Sequence, residues 1–299
     1  MTYLITGATG FIGSKLVRRL VDNGDAVNYL ARRRSAKFDS QVSFHVWDTT
    51  KEEAPLKSVP HVDAIIHLAG EPVAQRWTDE AKKRILSSRV DGTRNLVSAL
   101  AHVRQKPEVL VMASAVGYYG DRGEEILTED SGPGKDFLAD VCVKWEAEGV
   151  KAREFGVRVV PIRFGTVLGK DGGAFPLMAK PARLGLGANF GDGQQWMSWI
   201  HVEDLLSLIL FAAKEQSVTG VLNGTSPQPV RNAIFTKTLG EALHRPTFLS
   251  APKFALRAIL GEMSEFLFDS LRVTPAAAQK AGFEYRFGGL RAALTDLVR

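Results

Sequence analysis

Residues 7–13 read Gly-Ala-Thr-Gly-Phe-Ile-Gly, three glycines separated by two residues each. An apolar run, Tyr3-Leu4-Ile5, precedes them, and a segment with Ile12, Leu16 and Leu20 at four-residue spacing follows. A strand entering a glycine turn and a helix leaving it form a phosphate-binding device. Gly7 allows the tight turn, Gly10 lets the backbone approach a pyrophosphate, and Gly13 lets the helix sit close to the sheet. Thr9, Phe11 and Ile12 complete the turn, and the unpaired N–H groups at the helix start offer a positive dipole end to the phosphates. The spacing differs from the Gly-x-Gly-x-x-Gly of the commonest dinucleotide fingerprint, but the physical demands are similar. The expected ligand is a dinucleotide.

The end of the second strand selects which one. An acidic residue there would accept from a free ribose 2′-hydroxyl. This chain instead has Leu30-Ala31-Arg32-Arg33-Arg34-Ser35. Guanidinium groups pair with a 2′-phosphate in fork geometry, which points to NADP, with Arg32 the leading partner and Arg33 the next. Asp48, just past the third strand, either bonds the adenine amino group or closes a turn. Leu68, Ala69 and Gly70 end the fourth strand, where such a ligand runs along the strand ends. His67 beside them is either a ligand neighbour or a packed core histidine.

These groups need a scaffold. Apolar runs at 3–5, 26–31, 42–46, 62–68, 109–113 and 157–162 alternate with helical patterns at 11–22, 78–104 and 136–155. Thr78, followed by Asp79 and Glu80, is suited to cap the second helix. Strands apolar on both faces, alternating with helices, imply an α/β fold: a Rossmann-type, doubly wound parallel sheet covered on two sides. From about Gly165 the texture changes to glycine, proline and loops. The expected organisation is a dinucleotide domain over 1–165, to which 198–215 returns as a strand and helix. A smaller C-terminal substrate lobe takes 166–197 and 216–299, with a cleft between the two.

Composition narrows the function classes. Of 299 residues, 45% are hydrophobic and 24% charged, as in an ordinary globular chain and unlike a disordered one. The net charge of +5 suits an anionic ligand; the basic residues are dispersed, without the basic face or stacking platform of a nucleic-acid binder. A single cysteine, Cys142, precludes an intrachain disulfide, and no Cys/His cluster has metal-ligand spacing. No apolar stretch reaches the ~20 residues of a membrane span, and the N-terminus lacks a secretion signal. The expectation is a cytoplasmic protein with a small-molecule substrate and neither nucleic acid nor membrane as partner.

Thr6-Gly7-Ala8-Thr9-Gly10-Phe11-Ile12-Gly13 and Ile200-His201-Val202-Glu203-Asp204-Leu205 resemble segments of the extended short-chain dehydrogenase/reductase family, which includes nucleotide-sugar epimerases and dehydratases. A closer resemblance, to the atypical subgroup labelled "epimerase family protein", covers almost the whole chain. It is carried by Leu68-Ala69-Gly70-Glu71-Pro72-Val73, Ser114-Ala115-Val116-Gly117-Tyr118-Tyr119-Gly120, Lys144-Trp145-Glu146, Gly193-Gln194-Gln195-Trp196 and Asn223-Gly224-Thr225-Ser226-Pro227. The resemblance implies that Arg84 or Arg89 on the long helix faces the cofactor, with Arg89 favoured, and that Val167 touches the nicotinamide.

Active members of the wider family use a Ser/Thr after the fifth strand and a Tyr-x-x-x-Lys on the next helix for proton transfer. Aligned on Tyr119-Gly120 and Glu146, this chain places Ala115, Leu138 and Cys142 at those positions, and none of its five tyrosines has a lysine four residues later. Ser114 and Tyr118 are the candidate substitutes, although Ser114 suits a backbone bond as well as a substrate one. Lys144, two residues from the lysine position, is turned by roughly 200° at ~3.6 residues per turn and is read as solvated or paired with Glu148. Arg76 suits a substrate carboxylate or phosphate, or solvent. Gln195, Trp196, Trp199 and His201 suit a sugar ring, or the tryptophans form lobe core. Two functions follow: an NADP(H)-dependent oxidoreductase or epimerase-like enzyme acting on a sugar or nucleotide-sugar, and a non-catalytic NADP(H)-binding sensor or regulatory partner.

Overall fold

A strand apolar on both faces is satisfied only between two layers. In the computed structural model, which describes residues 1–38 and 41–299, β1 (Thr2–Thr6) turns Tyr3 and Ile5 to one face and Leu4 to the other, all fully buried. The chain continues through α1 (Phe11–Asp22), β2 (Ala26–Ala31), β3 (Val42–Val46), β4 (Ala64–His67), α2 (Asp79–Ser98), β5 (Val109–Ala115), β6 (Ile126–Leu127), α3 (Phe137–Val150) and β7 (Arg158–Phe164). The second half adds β8 (Thr166–Gly169), β9 (Gly172–Gly173), α4 (Phe175–Arg183), β10 (Ala188–Phe190), β11 (Trp196–Met197), β12 (Trp199–His201), α5 (Val202–Lys214) and β13 (Leu222–Gly224). It ends with β14 (Val230–Arg231), α6 (Asn232–Leu243), β15 (Leu249–Ala251), α7 (Lys253–Leu260), β16 (Arg272–Val273), α8 (Ala276–Lys280) and α9 (Leu290–Val298).

Seven strands form one sheet in the order β3-β2-β1-β4-β5-β7-β13, with every pairing parallel. Leu16 and Leu20 of α1 and Leu205 and Ile209 of α5 pack one face. Leu96 of α2 and Trp145 of α3 pack the other. The sheet is the expected doubly wound Rossmann type. Its last strand, β13, comes from a stretch assigned on sequence to the smaller lobe: three residues are too short to show a period, and only pairing with β7 reveals them.

Helix starts follow their caps. Thr78 accepts from the Ala81 N–H at 3.2 Å and Asp136 from the Ala139 N–H at 2.9 Å. Helix ends were less legible: α2 stops at Ser98 and tightens into a 3₁₀ turn over Ala99–His102, short of the expected 104. The second-half elements gather around a separate core of Phe175, Trp199, Phe235, Phe287 and Leu294. Among the described residues no helix is long and apolar enough to cross a membrane.

Candidate functional site

Strand order reverses between β1 and β4, and at such a switch point the connections leave in opposite directions and open a crevice at the strand ends. The glycine turn lines it. Gly7 has φ +68°, and a Cβ there would lie 2.6 Å from the Leu68 carbonyl carbon. A Cβ on Gly13 would lie 2.3 Å from the Gly7 oxygen. Gly10 donates to that oxygen at 3.0 Å and starts α1 with no side-chain cap, so the helix N–H groups face outward unclaimed. A Cβ on Gly10 would meet only the Gly7 oxygen, at 3.3 Å. Gly7 and Gly13 are therefore demanded by the fold, and Gly10 keeps the approach to the turn open.

The other turn residues divide. Thr9 is exposed, and its carbonyl accepts from Lys37 Nζ at 3.2 Å. Lys37 adds a further cation just past Arg32-Arg33-Arg34. Ile12 packs against the core beside α1. The Phe11 ring turns away from the crevice onto the β8–β9 hairpin, where Cβ atoms on Gly169 and Gly172 would lie 2.3 and 2.4 Å from it. Phe11 therefore offers a ligand its backbone, not its ring.

At the end of β2, Arg32, Arg33 and Arg34 are all exposed, and none is ion-paired among the described residues. With Thr9, Ser35 and Asp48 they line a cleft of about 790 Å³. Asp48 meets Lys51 at 3.3 Å and the Thr50 hydroxyl at 3.3 Å, so its carboxylate closes a turn while bordering that cleft. His67 takes the core alternative. It is fully buried between the Thr6 hydroxyl at 2.6 Å and the Thr93 hydroxyl at 3.0 Å, and burial depresses its pKa to about 4, which keeps it neutral. Thr6 in turn accepts from the Ala69 N–H at 3.2 Å, so His67 holds the 68–70 segment from below.

At the end of β5 the structure reassigns Ser114. It is 2% exposed and donates to Glu146 Oε1 at 2.5 Å rather than facing the crevice. Glu146 also grips Arg163 through two bonds, Nε at 2.9 Å and Nη2 at 2.8 Å. Arg163 Nη1 donates to the Tyr119 hydroxyl at 2.9 Å, which donates to Asn223 Oδ1 at 2.7 Å. Burial pushes the Tyr119 phenol up to about 12. The Arg163 guanidinium lies 3.3 Å over the Tyr118 ring, a cation–π stack. Tyr118 is only partly buried, and its hydroxyl has no protein partner among the described residues. Sequence reasoning missed this network, whose one advance signal was a carboxylate on an otherwise apolar helix face.

The crevice face of α3 carries the residues aligned with the family's tyrosine and lysine. Leu138 Cβ is 3.2 Å from where Gly117 would bear one, and Cys142 Sγ approaches the Ala115 carbonyl at 3.7 Å. Burial raises the Cys142 thiol to about 12, so it stays protonated. Lys144 lies on the solvent side, as its angle required, but pairs with Asp140 at 2.7 Å; Glu148 is taken by Arg94 and Lys151.

Both α2 arginines reach the segment after β4. Arg84 bonds the Glu71 and Gln75 side chains at 3.5 and 3.4 Å from an exposed position. Arg89 donates to the Glu71 carbonyl at 2.9 Å against Gly70. Val167 lies half-buried on β8, opposite Ile200.

The proposed substrate group separates. Arg76 is exposed, its stem against Gly261. Trp196 is partly exposed between the guanidinium groups of Arg231 and Arg272, at 4.8 and 4.4 Å, and donates to Glu124 at 2.9 Å. The other three are structural. Gln195 spends its amide on the Phe190 and Leu267 carbonyls, both at 3.1 Å. Trp199 is fully buried and donates to the Gln228 carbonyl at 3.0 Å. His201 caps α5 by accepting from the Glu203 N–H at 3.2 Å, with its ring 4.0 Å from that of Phe287.

The model of the NAD dependent epimerase/dehydratase family matches residues 3–223, and a domain of unknown function, DUF1731, matches 251–297. The chain is 41% identical, over its full length and 87% of the relative, to the chloroplastic epimerase family protein SDR39U1 homolog of Arabidopsis thaliana. The crystal structure of human epimerase family protein SDR39U1 (isoform 2) with NADPH superimposes with a TM-score of 0.89 at 33% identity, covering 99% of each chain. That of a nucleoside-diphosphate sugar epimerase from Corynebacterium glutamicum gives 0.80 at 34% identity, covering 98% of this chain and 57% of that one. A glycine cradle at the switch point of a parallel sheet, with the family model over residues 3–223 and the likeness to the two SDR39U1 relatives, identifies the chain as a member of the NAD dependent epimerase/dehydratase family.

Proposed function

We propose that this protein binds NADP(H) in preference to NAD(H) and acts as an NADP(H)-dependent oxidoreductase or epimerase-like enzyme on a sugar or nucleotide-sugar. The observation that carries the cofactor choice is the cluster of three arginines at the end of β2, unpaired among the described residues, around a cleft whose acidic lining, Asp48 and Glu52, comes only from beyond β3. The NADPH in the human relative's structure and the sugar-epimerase likeness support the reading. The glycine turn would hold the pyrophosphate, and Arg32 and Arg33 the 2′-phosphate. When bound, the nicotinamide supplies a hydride acceptor or donor. Tyr118 is the group we assign to move a proton: its hydroxyl is unclaimed among the described residues and its ring is held by Arg163. Ser114 is withdrawn from that role because Glu146 holds its hydroxyl.

Calorimetric titration with NADPH, NADH, NADP and NAD, on the wild type and on Arg32→Ala, tests the cofactor. We expect tight NADP(H) binding that the substitution weakens about tenfold or more while NADH binding stays the same. Equal affinities for the phosphorylated and unphosphorylated forms would overturn the preference.

A second reading, a non-catalytic NADP(H) sensor, is favoured by Ala115, Leu138 and Cys142 at the family's proton-transfer positions. It predicts nucleotide-dependent association with another protein. Oxidation of NADPH by any carbonyl or nucleotide-sugar substrate, slowed by Tyr118→Phe, would decide for the enzyme.

A further inference from the structure

The crevice uses the carboxyl ends of the strands; the amino ends carry a second concavity. Each face of a doubly wound sheet must be covered by the connections that cross it. The connection from β3 to β4, residues 47–63, packs Trp47, Ala54 and Leu56 on the face shared with Leu96 and Trp145. It does so with a single 3₁₀ turn, Leu56–Ser58, which covers less of the sheet than a helix does. Beneath that turn lies a cavity of about 310 Å³. Its floor is Leu56 with Leu4 and Ile65, registered neighbours on β1 and β4, and all three are buried. A space of that size holds roughly ten water-sized groups at ~30 Å³ each and lies at the lower end of the range of ligand pockets.

The mouth of the cavity is basic. Lys57 and Arg104 line it from exposed positions, and neither has a hydrogen-bond or ion-pair partner among the described residues. No carboxylate belongs to the lining. The two histidines of the rim are engaged by acids outside it, His61 by Asp63 at 2.6 Å and His102 by Glu53 at 3.2 Å. An apolar floor beneath two free cations complements an amphipathic anion, whose body gains by leaving water while its head accepts charge-assisted hydrogen bonds. We propose that this cavity binds a small apolar carboxylate, with its chain on Leu4, Leu56 and Ile65 and its head between Lys57 and Arg104. The proposal is independent of the NADP(H) reading. β1 and β4 lead to Gly7 and Leu68 at their other ends, so this ligand and a dinucleotide occupy opposite edges of the same two strands.

Octanoate is the probe, with octanol and octylammonium as its neutral and cationic counterparts, followed by calorimetry and by amide shifts in NMR spectra of the full chain. Octanoate should saturate one site at least tenfold more tightly than either counterpart. It should move the amides of residues 56–65 and 102–109, and NADPH should not displace it. The paired substitution Lys57→Ala with Arg104→Ala, at exposed positions without partners, should bring octanoate to the affinity of octanol and leave octanol binding the same. Val59→Trp, which fills the cavity from its wall, should remove the binding of both, with circular dichroism showing that the variants are folded. Equal wild-type affinity for octanoate and octanol would overturn the proposal. So would shifts confined to the crevice, displacement by NADPH, full octanoate affinity without both cations, or the absence of saturable binding.

Discussion

At the scale of single residues, the three glycines of the turn look alike in sequence and differ in the structure. Gly13→Ala must force a Cβ to within 2.3 Å of the Gly7 carbonyl oxygen. Such overpacking typically costs about 1–3 kcal/mol and here displaces the helix start from the strand. Gly10→Ala meets one backbone oxygen at 3.3 Å and otherwise projects into open space. The expected result is a split: Gly13→Ala lowers the thermal midpoint, whereas Gly10→Ala leaves it nearly unchanged and weakens dinucleotide binding tenfold or more. Parallel loss of stability in both variants would mean that Gly10 is also structural. The glycine turn was legible because its demand is local, a matter of φ and of approach within seven residues. The fates of Trp199, His201 and Gln195 were not. Whether a tryptophan faces a ligand or a core depends on which element lies over it, and here that element is the C-terminal segment around Phe287, more than eighty residues downstream.

At the scale of elements, β5, α3, β7 and β13 are joined beneath the crevice by one polar chain, Ser114–Glu146–Arg163–Tyr119–Asn223. Strands and helices could be read from their periods, but this tie could not: its members come from positions spread over more than a hundred residues, and each taken singly suits a surface or a ligand. Removing one partner of a buried pair leaves the other charge unpaired, at about 3–5 kcal/mol, whereas losing a neutral hydrogen bond costs about 1 kcal/mol. Chemical denaturation should therefore show Glu146→Gln strongly destabilised and Ser114→Ala only mildly so. Because Arg163 also supports the Tyr118 ring, Glu146→Gln should alter Tyr118 fluorescence or its NMR shifts in the folded protein. Ser114→Ala should leave NADPH affinity intact; a large loss of affinity there would restore Ser114 to the ligand site.

At the scale of the whole molecule, the change of texture near Gly165 carries no signal of how firmly the second half of the chain is joined to the first. The C-terminal segment is clamped at the start of α5, a helix that packs the sheet. The Asp204 carboxylate, 2% exposed, accepts from the backbone N–H groups of Arg286 at 3.0 Å and Phe287 at 2.9 Å. Glu129, beyond β6, accepts from the N–H of Asn223 on β13 at 2.9 Å and from that of Ala277 on α8 at 3.1 Å. Opening the lobe exchanges these bonds to charged carboxylates for bonds to water, at a net cost of about 1.5–3 kcal/mol for each bond. The lobe core of Trp199, Phe235, Phe287 and Leu294 likewise draws on both ends of the second half and cannot form from either alone. Scanning calorimetry of the wild type should thus show one transition. Asp204→Ala, which strands both donors, should move that transition to lower temperature as a unit, and Asp204→Asn, which keeps one acceptor, should move it less. A second, separately shifting transition in Asp204→Ala would show that the lobe folds on its own, and its junction with the sheet would then be a hinge rather than a fixed contact.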